Sequence, residues 1–386
     1  MTASPKSARW SRWLVSTAGV LIGLAIVPRI WFGAGADSLY AGDLEAQDAL
    51  ARDVAAYVEG EESAIDLGDP RFEGEWELVA YQMTILGLGQ IVLQHPELRA
   101  RYVPVMELAA TRMLRPGQRA FATRAWHGDA LHHLGSARGD AWLGWPNLAL
   151  SMLVRVHPET PHARLNARIT RALARRLGRA PHAVIETYPG QSFPTDVAAC
   201  AASIALHDRA TGADHERLLR RWAERYQAAA IDPRSGYLWQ QLHARSGRHR
   251  DAPRGSGTAV AAYFLSFVDA PLSADLTDAL SRHERSLAGF GAVREYADGF
   301  DGWGDVDSGP VLAGVSITAT GFTLGAARAN RRRALFERVL RTTRLFGVPT
   351  AHAGDRRFAV GGFFGNALLL AQLSALPAEF SRPEPE

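Results

Sequence analysis

The sequence predicts an all-α protein, an (α/α)6 toroid of six helical hairpins, preceded by an N-terminal signal or membrane-anchor segment. Two observations carry the fold. Past residue 40, apolar positions recur with a period near 3.6 between turn signals, and strand-like alternation is nearly absent. The helices marked in this way also alternate in character, a charged amphipathic one followed by one that is small and apolar on nearly every face. A helix apolar all round must be surrounded by protein. Six such alternations, at a repeat of roughly 50 to 70 residues, describe an inner ring of six helices wrapped by an outer six. The competing arrangement is an open solenoid, which would leave the inner helices one exposed and more polar face.

The expected helices are 44–59, 74–95, 97–113, 142–156, 161–177, 193–211, 214–230, 255–268, 274–287, 308–329, 331–346 and 360–376. "ARLNARITRALARRLG" and "HERLLRRWAERYQAAA" are outer, half-wet members. "DVAACAASIALHD", "GSGTAVAAYFLSF" and "GGFFGNALLLAQLSA" are inner ones, whose small residues permit close approach around a narrow axis. The expected organisation is a segment over 1–36, a barrel over 40–378 and a short Pro/Glu-rich tail over 379–386.

In such a barrel the inner helices all point one way, so the loops that precede them share one rim. Those loops read "DPRFEGEWEL", "GDAWLGWPN", "YPGQSFPTD", "DAPRGSG", "YADGFDGWGDVDSGP" and "HAGDRRFAVGG". They are rich in glycine, aromatics, hydroxyls and charge, whereas the opposite turns, such as "ATGADHE", are ordinary. Polar groups there would meet the free N–H groups of helix N-termini. Concave sites at such places bind ligands. The candidate catalytic residues are Asp196, Asp305 and Asp307, a set of carboxylates able to divide the roles of acid and base. The candidate substrate-binding residues are Trp76, Trp145, Asn147, Tyr188, Gln191, Trp239, Arg254, Thr258 and Trp303. Each has a plainer reading: Asp196, Asp305 and Asp307 as cap or turn residues, the tryptophans as packing. His127, His132 and His133 fit no metal-ligand spacing, so no metal and no cofactor is expected.

Several of these stretches resemble the linalool dehydratase/isomerase family: "GWPNLALSML", "YPGQSFPTDVAACAASIALHDRATG", "RRWAERYQAAAIDPRSGYL", "GSGTAVAAYFL" and the early "EWEL". The resemblance implies an exported (α/α)6 protein that forms oligomeric rings and interconverts terpene alcohols and alkenes by cofactor-free acid and base chemistry. The family's two cysteines fall on Thr187 and Asp196, its histidine on Trp145 and an aromatic on Arg254, while Asn147 is kept. Thiol chemistry is therefore absent, and the implied function becomes a carboxylate-based hydro-lyase or isomerase acting on a hydroxylated substrate other than linalool. Two alternatives stay open: a glycoside hydrolase or other carbohydrate-active enzyme of the cell envelope, and a lipid- or glycan-binding protein without turnover.

Composition bounds the rest. The 386 residues are 47% hydrophobic and 22% charged, with a formal net charge of +3. Lys6 is the only lysine, and no basic stripe interleaved with aromatics suggests nucleic acid. Cys200 is the single cysteine, so no intramolecular disulfide forms. Lys6, Arg9 and Arg12 precede an apolar run over 13–28, the order of a signal peptide or signal anchor, which predicts an exported, periplasmic or extracytoplasmic protein touching the membrane through this segment. The expected partners are a small-molecule or glycan substrate and, from the resemblance, further copies of the chain.

Overall fold

The computed structural model describes residues 16–17, 23, 26–60, 72, 74–137, 139–352 and 354–377. Most of the expected segment 1–36 and the tail 379–386 lie outside the described residues. The helices, in chain order, are α1 (Ala36–Ala41), α2 (Leu44–Glu59), α3 (Glu75–Gln94), α4 (Arg99–Met113), α5 (Ala120–Trp126), α6 (Gly144–Val156), α7 (Ala163–Arg179), α8 (Pro194–Thr211), α9 (Glu216–Ala230), α10 (Gly255–Leu265), α11 (Ala270–Arg282), α12 (Ile317–Ala329), α13 (Arg333–Gly347) and α14 (Gly362–Leu373). Each of the twelve expected helices has a counterpart.

The inner ring closes. Helix α3 packs on α6, α6 on α8, α8 on α10, α10 on α12, α12 on α14, and α14 returns to α3. The open solenoid is thereby excluded. Outer helices α4, α7, α11 and α13 cover α3, α6, α10 and α12, and α2 covers α14. The inner members are buried almost throughout, as in Val197–Ile204 of α8, where every residue is sealed from water. Helix α3 is long and apolar enough to cross a membrane, but 78% of its apolar window is buried within the ring, so it is a core helix. Small residues set the spacing: a Cβ on Gly144 of α6 would lie 2.5 Å from the Cys200 backbone nitrogen of α8.

Local chemistry fixes the helix ends. Asp43 accepts from the Ala46 N–H at the start of α2, and Asp269 from the Leu272 N–H at the start of α11. Pro194 opens α8 in its first turn, where a missing N–H costs nothing, and Gly212 closes it in the left-handed region.

Two helix boundaries differ from the sequence expectation by five residues or more. The helix expected over 274–287 stops at Arg282, and β3 (Glu284–Leu287) pairs antiparallel with β4 (Phe290–Val293). The helix expected over 308–329 begins only at Ile317, behind β5 (Val311–Leu312) and β6 (Val315–Ser316), with Ser316 accepting from the Ala319 N–H as the cap. Both hairpins turn on an Ala–Gly pair with positive φ at both positions, Ala288–Gly289 and Ala313–Gly314. Alanine is a poor marker for such turns, which usually carry asparagine or aspartate at the first position. The other strands are β1 (Leu238–Trp239) with β2 (Pro253–Arg254), and β7 (Pro349–His352) with β8 (Asp355–Phe358). All eight strands stand in loops that lead into inner helices, so they build the rim.

Candidate active site

A cavity of about 790 Å³ opens at this rim, where all six inner helices begin. Glu75, Trp76 and Val79 come from α3, Trp145 from α6, Thr195 and Asp196 from α8, Ser256 and Val260 from α10, Thr318 and Phe322 from α12, and Phe364 and Leu368 from α14. The preceding loops add Phe121, Trp142, Thr187, Tyr188, Gln191 and the stretch Asp305–Asp307.

Asp196 sits in the first turn of α8, but its side chain caps nothing. Its Oδ1 accepts from the Trp145 indole N–H at 2.7 Å and its Oδ2 from the Thr187 hydroxyl at 2.7 Å. Burial raises its pKa, and the two donors moderate the rise. Glu75 accepts from the Tyr188 hydroxyl at 3.1 Å through Oε1, while its buried Oε2 has no protein partner. Burial first, and then the charges of Asp307 and Asp196, push Glu75 up to about 8. Asp307 is raised to about 7 by the enclosing protein and by the charges of Asp305 and Asp196. Asp307 also keeps water contact at the mouth, which offsets part of that desolvation.

The three carboxyls therefore titrate as one set. Asp196 raises both of the others, and its own two hydrogen-bond donors, Thr187 and Trp145, favour its ionised form against the burial that raises it. The arrangement is one carboxyl held by two donors, one acid that keeps its proton at neutral pH and has a free oxygen, and one group at the mouth raised into the same range.

Asp305 plays a different part. Burial opposes its ionisation, but the Arg254 guanidinium and the N–H groups of Ser308 and Asp307 outweigh that and hold its carboxyl below the usual range. Arg254 is buried between two acids: its Nε donates to Glu295 at 2.6 Å, and its Nη1 and Nη2 grip Asp305. Glu295 also accepts from the Ser256 hydroxyl at 2.7 Å. This chain of charge ties the loop carrying Asp307 to the start of α10.

The structure gathers Asp196, Asp305, Asp307, Trp76, Trp145, Tyr188 and Gln191 around the cavity. Five expected residues do not line it. Asn147 is buried between α6, α7 and α8, donating to Thr170 and Ser203. Thr258 is buried and accepts from the Leu238 N–H. Arg254 is consumed by its two carboxylates, Trp239 stacks on His249 with ring centroids 3.9 Å apart, and Trp303 is 92% exposed. Sequence reasoning assigned Glu75 no role. Its "EWEL" was visible as a polar opening to an apolar helix, the same signal that marked Asp196.

Fold and site together define the class: an (α/α) toroid whose rim cavity combines carboxyls with tryptophans. No family model matches the chain, and no curated protein does. Among solved structures, the chain is similar to the α-1,6-mannanase GH76A from Salegentibacter sp. HEL1_6, with a TM-score of 0.51 and 11% identity over 88% of this chain and 99% of that one. An inactive variant of that enzyme with α-1,6-mannotriose aligns at 0.49, with 11% identity over 86% of this chain and 98% of that one. A polysaccharide lyase aligns at 0.36, with 12% identity over 80% of this chain and 100% of that one. At such identity the first likeness shows the shared fold. The resemblance to the linalool dehydratase/isomerase family is overturned: no family model supports it, and the structural likeness runs to the mannanase toroid instead. In physical terms, small residues in inner helices and polar rim loops are what any closed helical toroid requires, so those stretches matched the architecture.

Proposed function

We propose that the chain is a carbohydrate-active enzyme that hydrolyses a glycosidic bond in the rim cavity. The observation that carries this reading is that Glu75, its buried Oε2 without a protein partner, and Asp196, accepting from two donors, line one cavity walled by tryptophan. The indole N–H groups of Trp76 and Trp142 are likewise buried without protein partners. Two donors and an acid beside flat aromatic faces suit a ligand that offers hydroxyls at its edges and C–H groups on its faces.

In the proposed reaction Glu75 gives its proton to the departing glycosidic oxygen as the C–O bond breaks. The Asp196 carboxylate stabilises the positive charge that develops at the anomeric carbon. Asp307, at the wet mouth, accepts a proton from the water whose oxygen bonds to that carbon. Asp307 then releases its proton to solvent, and Glu75 takes one up, which restores both groups. Asp305 and Arg254 position the loop that carries Asp307.

The fold likeness makes α-1,6-linked mannan the first substrate to test, followed by other envelope glycans. Incubation in ¹⁸O-water with mass spectrometry of the products checks the reading. One ¹⁸O per cleaved bond, lost in Glu75→Gln, is the expected result. Glycan binding without cleavage at any pH from 5 to 9 would make the chain a binding protein, and an unsaturated product without label would make it a lyase.

A further inference from the structure

The mouth of the cavity is bordered by an apolar surface that the ring does not need. Among the described residues, every exposed large apolar side chain except Leu44 lies either on the helical stretch 26–33 or between residues 287 and 360. The second group belongs to the rim. Leu287 stands at the turn of β3 and β4, Leu312 at that of β5 and β6, Phe346 in the last turn of α13, and Val348 and Val360 flank β7 and β8; Leu287 is 83% exposed and Phe346 62%. The turns at the opposite end, such as 212–215 and 330–332, carry no exposed large apolar residue.

The stretch 26–33 is built into the same border. Phe32 packs edge-on against Phe290 of β4, Arg344 of α13 donates to the Phe32 and Ala34 carbonyls, and the Arg29 side chain lies against the turn at Gly289. Its outward residues include Ile30 and Trp31, the latter 75% exposed. This stretch continues directly from the apolar sequence run over 13–28. Exposed Arg29, Arg285, Arg356 and Arg357 stand among these apolar groups. On the same border, Glu284 is paired with Arg338, Asp355 with Arg52, Asp298 with Arg294 and Asp305 with Arg254, whereas Asp301 and Asp307 are exposed.

Exposed apolar side chains gathered on one rim and interleaved with arginine are the composition of a face that seats in the headgroup region of an anionic bilayer. We propose that the rim is a membrane-seating face, so that the cavity mouth opens onto the lipid surface and takes its substrate from there, an amphiphile whose glycan enters the cavity while its lipid stays in the bilayer. The substrate class rests on the hydrolase reading above; the seating does not. A second copy of the chain is the competing occupant, and the arginines among the apolar groups argue against it, because a self-complementary contact would bring like charges together.

The test uses the full chain with vesicles of phosphatidylglycerol and phosphatidylcholine. Cys200 is fully buried, so an environment-sensitive fluorophore can be attached selectively at Leu287→Cys, Phe346→Cys or, as the opposite-end control, Ala213→Cys. Nitroxide-bearing lipids should quench the labels at 287 and 346 at least threefold more than the label at 213, and equally in the Glu75→Gln background. Equal quenching at all three sites overturns the seating, as does a rim-label change that depends on protein concentration without lipid, which would assign the face to a second copy. In a parallel assay, Leu287→Glu/Phe346→Glu should lower cleavage of a lipid-linked glycan in vesicles about tenfold and leave a soluble oligosaccharide unaffected. Cleavage of both substrates unchanged removes the amphiphile proposal. Cleavage of neither by the wild type sinks the hydrolase reading, while the quenching result stands by itself.

Discussion

The Trp145 indole N–H and the Asp196 carboxylate meet at 2.7 Å across the α6–α8 contact, and this hydrogen bond turns a first-turn aspartate away from its own helix and into the cavity. The Thr187 hydroxyl completes the arrangement from the loop before α8. An asparagine fits the same place, its carbonyl accepting from Trp145 and its amide donating to Thr187. Asp196→Asn is therefore expected to melt within a degree or two of the wild type and, under the hydrolase reading, to lose at least 10²-fold in kcat/KM. A large fall in melting temperature with activity retained would return Asp196 to a structural role.

Glu75 predicts how stability responds to pH. Its pKa is about 4.5 in the unfolded chain and about 8 in the folded protein. The folded state thus holds a proton that the unfolded state has released between those values, and stability falls as pH rises from about 4.5 through about 8. The loss from Glu75 is on the order of a few kcal/mol; Asp307 shifts the same way, but its exposure at the mouth screens its share. Glu75→Gln removes this dependence, so its melting temperature should exceed that of the wild type at pH 9 and match it at pH 4. Thermal unfolding at those two pH values decides the point, and a gap that narrows with rising pH would contradict it.

Under the hydrolase reading, the same groups shape the rate. A base that works ionised at about 7 and an acid that works protonated below about 8 give a narrow bell in kcat/KM centred between those values. Glu75→Gln is expected to remove the alkaline limb from whatever activity remains, and Asp307→Asn the acidic one. Steady-state rates from pH 5 to 10 measure both, and interchanged limbs would reverse the two assignments.

Arg254 should matter more for stability than either of its partners' exposure suggests. Replacing it with methionine leaves Glu295, fully buried, without its counter-charge, at a cost of about 3 to 5 kcal/mol. Asp305 is 40% exposed, and Asp305→Asn should cost about 1 kcal/mol or less. Urea unfolding of the two variants gives the comparison. Equal losses would mean that the Asp305 side of the bridge is the one that counts.

Gly144→Ala probes the ring itself. The added Cβ would press on the backbone of Ala199 and Cys200, which cannot swing aside as a side chain can. A loss of about 1 to 3 kcal/mol is expected. An unchanged unfolding midpoint would show that α6 and α8 separate without cost.

The twelve ring helices and their wet or buried character were legible because periodicity and composition are local properties, and a helix such as α8 announces its burial through a run of small residues, mostly alanine. The rim carboxyls were half legible. Asp196 and Asp307 stood out as acids in front of apolar helices; Glu75 carried the same signal without a role, since nothing in "EWEL" shows that Tyr188, 113 positions further on, would hold it. The failures at Asn147, Thr258 and Trp239 share a cause. A residue near a helix start can point inward, sideways or outward, and only its neighbours on other helices fix which.

By itself, the sequence determined that six amphipathic and six apolar helices alternate and that polar loops gather before the apolar ones, because the solvent preference of each segment is written in its own residues. Tertiary structure alone decided that the ring closes, and that Glu75, Asp196 and Asp307 share a single cavity, where the charges of Asp196 and Asp307 raise Glu75. Those are distances between segments far apart in the chain, and the electrostatic coupling that gives the site its chemistry exists only once packing has set them.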